Sequence, residues 1–132
     1  YMTLMLLAQA SDDYACGVAG APVVDWALYD THYTEHYMDH PARNPDGYRN
    51  ASVLSHLDGL RSPLLLIHGM ADDNVVFENT STLAAKLQAE AVPFEMMLYP
   101  GYTHRVSGEA IGPHRYNTVF RFLERHGVTA PD

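Results

Sequence analysis

The chain has 132 residues, enough for one domain with a buried core. Sixteen acidic residues against eight basic ones give a formal charge of −8, with 47% apolar and 18% charged residues. That balance argues against nucleic acid, whose phosphates need a basic face, and fits an ordinary globular chain.

Residues 1–8, Tyr1-Met2-Thr3-Leu4-Met5-Leu6-Leu7-Ala8, are apolar on every side and predict a buried helix. The first nine residues carry neither a basic leader nor a cleavage site, so they do not form a signal peptide. A chain that opens within a helix and without an initiator methionine reads as a fragment. Ser11-Asp12-Asp13 breaks the helix. The single cysteine, Cys16, permits no intrachain disulfide; in Cys16-Gly17-Val18-Ala19-Gly20 it reads as a free core thiol rather than a nucleophile. Residues 17–24 predict a short buried strand, with Gly20 and Pro22 near its end.

Residues 25–38 carry Trp26, Tyr29, Tyr33 and Tyr37 at spacings that put the rings on one helical face. Residues 39–50, with two prolines and a glycine, predict a loop. Pro63 then precedes Leu64-Leu65-Leu66-Ile67, a continuous apolar run suited to a parallel strand covered on both faces. Residues 79–91 predict a helix with Thr80, Leu83, Ala84, Leu87 and Ala91 inward, and 94–99 another buried strand. Residues 114–126 predict a last helix, its apolar stripe being Tyr116, Val119, Phe120 and Leu123, with Gly127 as a left-handed cap. No apolar stretch approaches the roughly 20 residues of a membrane helix.

Helices alternating with strands imply right-handed crossovers onto a parallel sheet with helices on both faces, the α/β class. Three strands are few for such a sheet, so further strands are expected upstream. Ligands of open α/β sheets bind beyond the carboxyl ends of the strands. Two loops lie there: His68-Gly69-Met70-Ala71-Asp72-Asp73-Asn74-Val75, and Pro100-Gly101-Tyr102-Thr103-His104. A carboxylate on one strand end can orient an imidazole on the next, which then takes a proton from a nucleophile. The order acid, then histidine, after an earlier serine is that of α/β-hydrolases. Spacing alone leaves a second reading open, in which Asp72 caps the following helix and His104 is an ordinary loop histidine.

His68-Gly69 followed by Ala71-Asp72-Asp73-Asn74-Val75 resembles the acid loop of the prolyl oligopeptidase family, in particular its dipeptidyl peptidase IV branch. Ala21-Pro22-Val23, Trp26, Tyr29-Asp30 and Tyr33-Thr34-Glu35 resemble the segment that walls the proline pocket there, and Tyr48-Arg49-Asn50 a further short block. The resemblance runs from Tyr1 to about the last helix. It implies the C-terminal portion of an α/β-hydrolase fold, with Asp72 and His104 as triad acid and base. Tyr1-Met2-Thr3 is similar to the residues just after the nucleophile elbow, so the serine is expected about four residues before Tyr1. The chain alone is then expected to be inactive, with the oxyanion donors and any β-propeller domain upstream.

The resemblance further implies a serine exopeptidase releasing Xaa-Pro or Xaa-Ala dipeptides from peptide amino termini, without cofactor or metal. Acylaminoacyl-peptidase and prolyl oligopeptidase activities belong to the same family. Rings at helical spacing can equally be core; as pocket, Trp26, Tyr29 and Tyr33 with Val23 and Val75 would hold a proline ring by burial. Asn74 would hydrogen-bond a substrate carbonyl, or else serve a helix cap or Asx-turn. Val76 departs from the histidine of mammalian members, and Pro100-Gly101-Tyr102-Thr103 from their acidic loop. Neither touches Asp72 or His104.

His32, His36 and His40, four apart, read as a solvated row rather than a zinc site. Asn50-Ala51-Ser52 and Asn79-Thr80-Ser81 fit the glycosylation pattern, which arises often by chance. In the family the last two helices form a homodimer contact, which offers a non-catalytic alternative for residues 79–91 and 114–126. Bacterial members are often exported to the periplasm or cell envelope; these residues hold no targeting signal, and a cytoplasmic site stays open.

Overall fold

A computed structural model describes residues 1–129. In chain order the elements are α1 (Met2–Gln9), β1 (Gly17–Gly20), α2 (Thr31–Met38), α3 (Pro45–Ala51), β2 (Leu64–Gly69), α4 (Glu78–Ala89), β3 (Glu95–Tyr99) and α5 (Ile111–Arg125). The apolar run after Pro63 forms β2, buried at every residue. It pairs in parallel with β1 on one side and β3 on the other.

Alternation along β2 divides the core in two. Leu64 and Leu66 pack with Leu4 and Leu7 of α1 and Leu83 and Leu87 of α4. Leu65 and Ile67 pack on the opposite face with Tyr99, Val106 and Phe122 of α5. Helices therefore cover both faces of a parallel sheet, as the alternating pattern implied. Each fully buried leucine contributes roughly 1.5–3 kcal/mol. No helix among the described residues is long and apolar enough to cross a membrane.

Several expectations are corrected. Helix α1 is not buried all round: Leu4, Leu7 and Ala8 face the core, while Met2 and Leu6 are exposed. Strand β1 stops at Gly20, because Ala21 takes φ 40 just before Pro22. Residues 25–38 are not one helix. The Asp25 carboxylate accepts from Ala27 N and caps a 3-10 turn over Trp26–Leu28; Tyr29 is extended. Asp30 then accepts from Tyr33 N and starts α2. The expected loop 39–50 contains most of α3, which Asn44 caps through Gly47 N with Pro45 in the first turn.

Strand β3 is not covered on both faces: it lies at the sheet edge with Glu95 and Met96 exposed, and only Tyr99 is buried. Helix α5 begins at Ile111, and its core side carries Ile111, Val119, Phe122 and Leu123. Tyr116 and Phe120, expected on the apolar stripe, are 55% and 56% exposed and stack on each other.

Helices α4 and α5 end alike. Val128 N bonds Leu123 O at 3.0 Å and Gly127 N bonds Glu124 O at 3.2 Å, with Gly127 at φ 78, the left-handed cap expected there. Val92 N bonds Leu87 O at 2.9 Å and Ala91 N bonds Gln88 O at 3.1 Å, but here the left-handed position belongs to Ala91, at φ 55. Ala91 thus lies past the helix end, exposed rather than inward. An alanine in this conformation is strained, whereas glycine is not. Ala91→Gly is expected to stabilise the fold by about 1 kcal/mol, the steric relief exceeding the entropy glycine adds to the unfolded chain. Denaturant midpoints measure it; a fall in the midpoint contradicts this account of the cap.

Candidate active site

The register of β2 and β3 ends on Gly69 opposite Tyr99, so the two strands finish at one level. Their loops are sewn together by the main chain: Met70 N donates to Tyr99 O and Ala71 N to Tyr102 O, each at 3.0 Å. Gly69 makes this approach possible, since a Cβ there would overlap the carbonyl oxygens of Tyr102 and Thr103.

Asp72 sits in the first loop with its side chain fully buried. Its Oδ1 accepts from Asn74 N and Val75 N, both at 2.9 Å. Its Oδ2 accepts from His104 Nδ1 at 2.8 Å and from His68 Nε2 at 3.1 Å. Burial pushes the Asp72 carboxyl up, but the hydrogen bonds from His104, Asn74 and Val75 together outweigh it and hold the group below the usual aspartate range. The local capping role and the imidazole partnership thus coexist, one on each oxygen; the capped amides belong to the turn rather than to α4. Asp73 is exposed.

His104, in the loop after β3, keeps 41% of its side chain exposed. Its Nδ1–H points to the carboxylate, so the neutral ring presents Nε2 as a base. Nε2 makes no hydrogen bond among the described residues. His104 opens onto a cleft of about 190 Å³ that Gly20, Gly69, Val106 and Arg115 help to line. Ser81 and Ser107 bond backbone carbonyls, those of Glu78 and Arg105.

From sequence, His68 and Thr80 are only letters of a loop motif and a helix. Here His68 is fully buried, with Nδ1 2.7 Å from Thr80 Oγ1 and Nε2 2.9 Å from Val75 O. The signal that could have found it is a histidine on a strand end, four residues before an aspartate.

The aromatic residues meet despite the break between their two helical turns. Trp26 stacks on Tyr33 at 6.0 Å, Tyr29 meets Tyr33 edge-on at 5.5 Å, and Tyr1 meets Trp26 at 5.1 Å. Tyr29 Oη donates to Asn74 Oδ1 at 3.1 Å, so this cluster joins the acid loop two residues from Asp72. Asn74 caps no helix, and its amide NH2 makes no hydrogen bond among the described residues. Val23 and Val75 are buried and present little surface. The segment is tied down by Asn79, fully buried, whose Oδ1 accepts from Val24 N at 2.8 Å and Asp25 N at 3.3 Å. That burial leaves no accessible amide for glycosylation at Asn79.

His32 and His36 are exposed on α2, and His40 lies past its end, where Nδ1 accepts from Ala42 N. Cys16 is free and half-buried beside the α5 core, and burial pushes its thiol up, away from the thiolate.

Residues 1–128 match the family model described as the prolyl oligopeptidase family. The chain is 38% identical over 129 residues to dipeptidyl peptidase 8 of Homo sapiens, covering 96% of this chain and 14% of that protein. It is 38% identical over 128 residues to dipeptidyl peptidase 4 of Bos taurus, covering 95% and 17%. The crystal structure of Porphyromonas gingivalis dipeptidyl peptidase 4 superposes with a TM-score of 0.92 at 37% identity, over 95% of this chain and 18% of that one. The chain therefore spans less than a fifth of the length of these relatives.

Because the folded-state pKa of Asp72 is depressed, its ionisation adds stability that is present above the ordinary value of 3.8. That stability is lost as pH falls through the lower folded value. The stability advantage of the wild type over Asp72→Asn is expected to shrink as pH drops below about 4. Denaturant titrations of both proteins across that range measure it, and an advantage that grows on acidification contradicts the assignment.

Proposed function

The chain belongs to the prolyl oligopeptidase family, and on that premise we propose that Asp72 and His104 are the acid and base of a serine-peptidase triad in a longer protein. The observation that carries this is the 2.8 Å bond from His104 Nδ1 to the buried Asp72 carboxylate. It leaves Nε2 unpartnered among the described residues, on a half-exposed ring beyond the strand ends. The nucleophilic serine, the oxyanion donors and any β-propeller belong to segments outside these 132 residues. In keeping with this, neither Ser81 nor Ser107 sits on a strand-to-helix elbow.

In the reaction, the serine hydroxyl gives its proton to His104 Nε2 while its oxygen attacks the scissile carbonyl. The imidazolium is stabilised by Asp72, which stays ionised because four donors already hold its charge. His104 then protonates the leaving amine, and water repeats the sequence on the acyl-enzyme.

The reading extends to a dipeptidyl peptidase that releases Xaa-Pro or Xaa-Ala dipeptides. A proline ring is compact and apolar, and Trp26, Tyr29 and Tyr33 offer it stacked and edge-on faces, with Val23 and Val75 as the further apolar side chains of the pocket. The bond of Tyr29 to Asn74 Oδ1 leaves the Asn74 amide NH2 to donate to a substrate carbonyl. The dipeptidyl peptidase names of the relatives favour this over the family's other peptidase types. The exposed Tyr116–Phe120 stack on α5 supports a homodimer contact involving α4 and α5, and a monodisperse full-length monomer in light scattering would remove it.

In the full-length protein, Asp72→Asn is expected to cut turnover by about 10⁴-fold with KM nearly unchanged, and His104→Ala by at least as much. Near-normal turnover in either folded variant defeats the triad assignment. In the same assay, Tyr29→Ala or Tyr33→Ala should lower the kcat/KM ratio of proline over leucine substrates. An unchanged ratio in folded variants removes these rings from the proline pocket.

A further inference from the structure

We propose that His68 is a positioning residue of this site, holding the Asp72 carboxylate from beneath through the buried chain Thr80–His68–Asp72. The proposal rests on the reading that Asp72 and His104 carry the chemistry.

The hydrogen bonds fix the ring. Val75 O and the carboxylate are acceptors only, so His68 Nε2 carries the proton and shares it between them, at 2.9 and 3.1 Å. On the other side of the ring, Nδ1 is hydrogen-bonded to Thr80 Oγ1 at 2.7 Å. Phe77 packs edge-on against the imidazole, 5.6 Å between centroids. Neither ring nitrogen is left unpaired, and the ring is closed to water.

A histidine serving packing alone would be an expensive choice at this position. The preceding residues of β2 are Leu64, Leu65, Leu66 and Ile67, and burying a polar ring among such neighbours costs free energy unless it is bonded. What His68 bonds is the reactive loop itself, at Asp72 and Val75. With Oδ1 held by two turn amides and Oδ2 by two imidazoles, rotation of the carboxylate breaks several bonds at once.

Two consequences separate this role from mere support. His68 places Oδ2 where His104 needs it, so losing it should cost kcat more than KM. Its N–H also disperses charge on the oxygen that His104 uses. Without that donor the carboxylate becomes more basic, favours the His104 imidazolium more strongly, and moves the acid limb of kcat/KM to higher pH. The titratable or charged groups near His104 include Tyr102 and Arg105 of its own loop and, from α5 across the cleft, Arg115. His68 variants leave all of them in place.

The experiment uses the full-length protein with an Xaa-Pro chromogenic dipeptide, comparing His68→Leu, which removes the donor, with His68→Gln, which restores an amide N–H near the same point. His68→Leu should lower kcat by roughly 10–100-fold, by analogy with the outer-shell groups that orient metal-ligating side chains. KM should stay within about threefold, and the acid limb should move up. His68→Gln should recover most of both effects. A folded His68→Leu with wild-type kcat and an unmoved limb overturns the proposal. If His68→Leu does not fold, Thr80→Val withdraws only the hydroxyl behind the ring, and an unchanged profile there overturns it equally. Asp72→Asn run alongside separates the two failures. An active Asp72→Asn removes the triad reading and this proposal with it; an inactive one beside a normal His68→Leu removes this proposal alone.

Discussion

A carboxylate taken out of water at the end of a parallel sheet is the constraint on which the rest of the structure turns. Left uncompensated, the Asp72 charge would cost several kcal/mol or would be neutralised by a proton. Four donors compensate it, and they come from three places in the chain. Asn74 N and Val75 N belong to its own turn, His68 to the end of β2, and His104 to the loop after β3. No single element could supply them, so turn, strand end and neighbouring loop are each needed in register.

That register is a property of the sheet. Parallel pairing of β2 with β3 runs to Gly69 and Tyr99, and the crossover through α4 leaves both carboxyl ends at one edge of the fold. A side chain at position 69 would hold the two loops apart by its own width. Glycine at position 69 removes that width, and the main-chain bonds Met70–Tyr99 and Ala71–Tyr102 close the gap. Only then can the exposed His104 ring reach a carboxylate that solvent cannot.

Legibility in the sequence tracks the range of the interactions involved. The apolar run of β2 and the inward face of α4 rest on local pattern, and both appeared as expected except for Ala91, which falls past the end of the helix. The acid and histidine loops were legible as motifs, and their partnership is visible as the Asp72–His104 bond. The break at Tyr29 was hidden because rings at positions 26, 29 and 33 mimic one helical face, while the signals against it, Asp25 and Asp30, are single capping residues. Asn44-Pro45, a usual helix start, was masked by the surrounding proline and glycine. On α5 hydrophobicity did not decide burial: Phe122 reaches the sheet, while Phe120, two residues earlier, points away. The role of His68 was marked only by its place four residues before Asp72, and its link to Thr80 of α4 left no trace in the local pattern.

The first turn of α4 shows how far such hidden contacts couple the site. Phe77, its N-cap, makes no side-chain cap, yet Asn79 and Thr80 are fully buried polar residues. They face different ways. Asn79 closes on Val24 N and Asp25 N, fixing the segment that carries Trp26 and Tyr29. Thr80 closes on His68, and through it on Asp72. Leaving a group such as Val24 N buried and unpaired would cost about 1–3 kcal/mol, so neither bond yields easily. The Tyr29–Asn74 bond joins the two branches again at the surface. Ring cluster and acid are therefore held by one loop of interactions that begins and ends on residues 74–80. The distance between the rings and the carboxylate is therefore fixed twice, by the first turn of α4 through Asn79 and Thr80 and by the acid loop through Asn74.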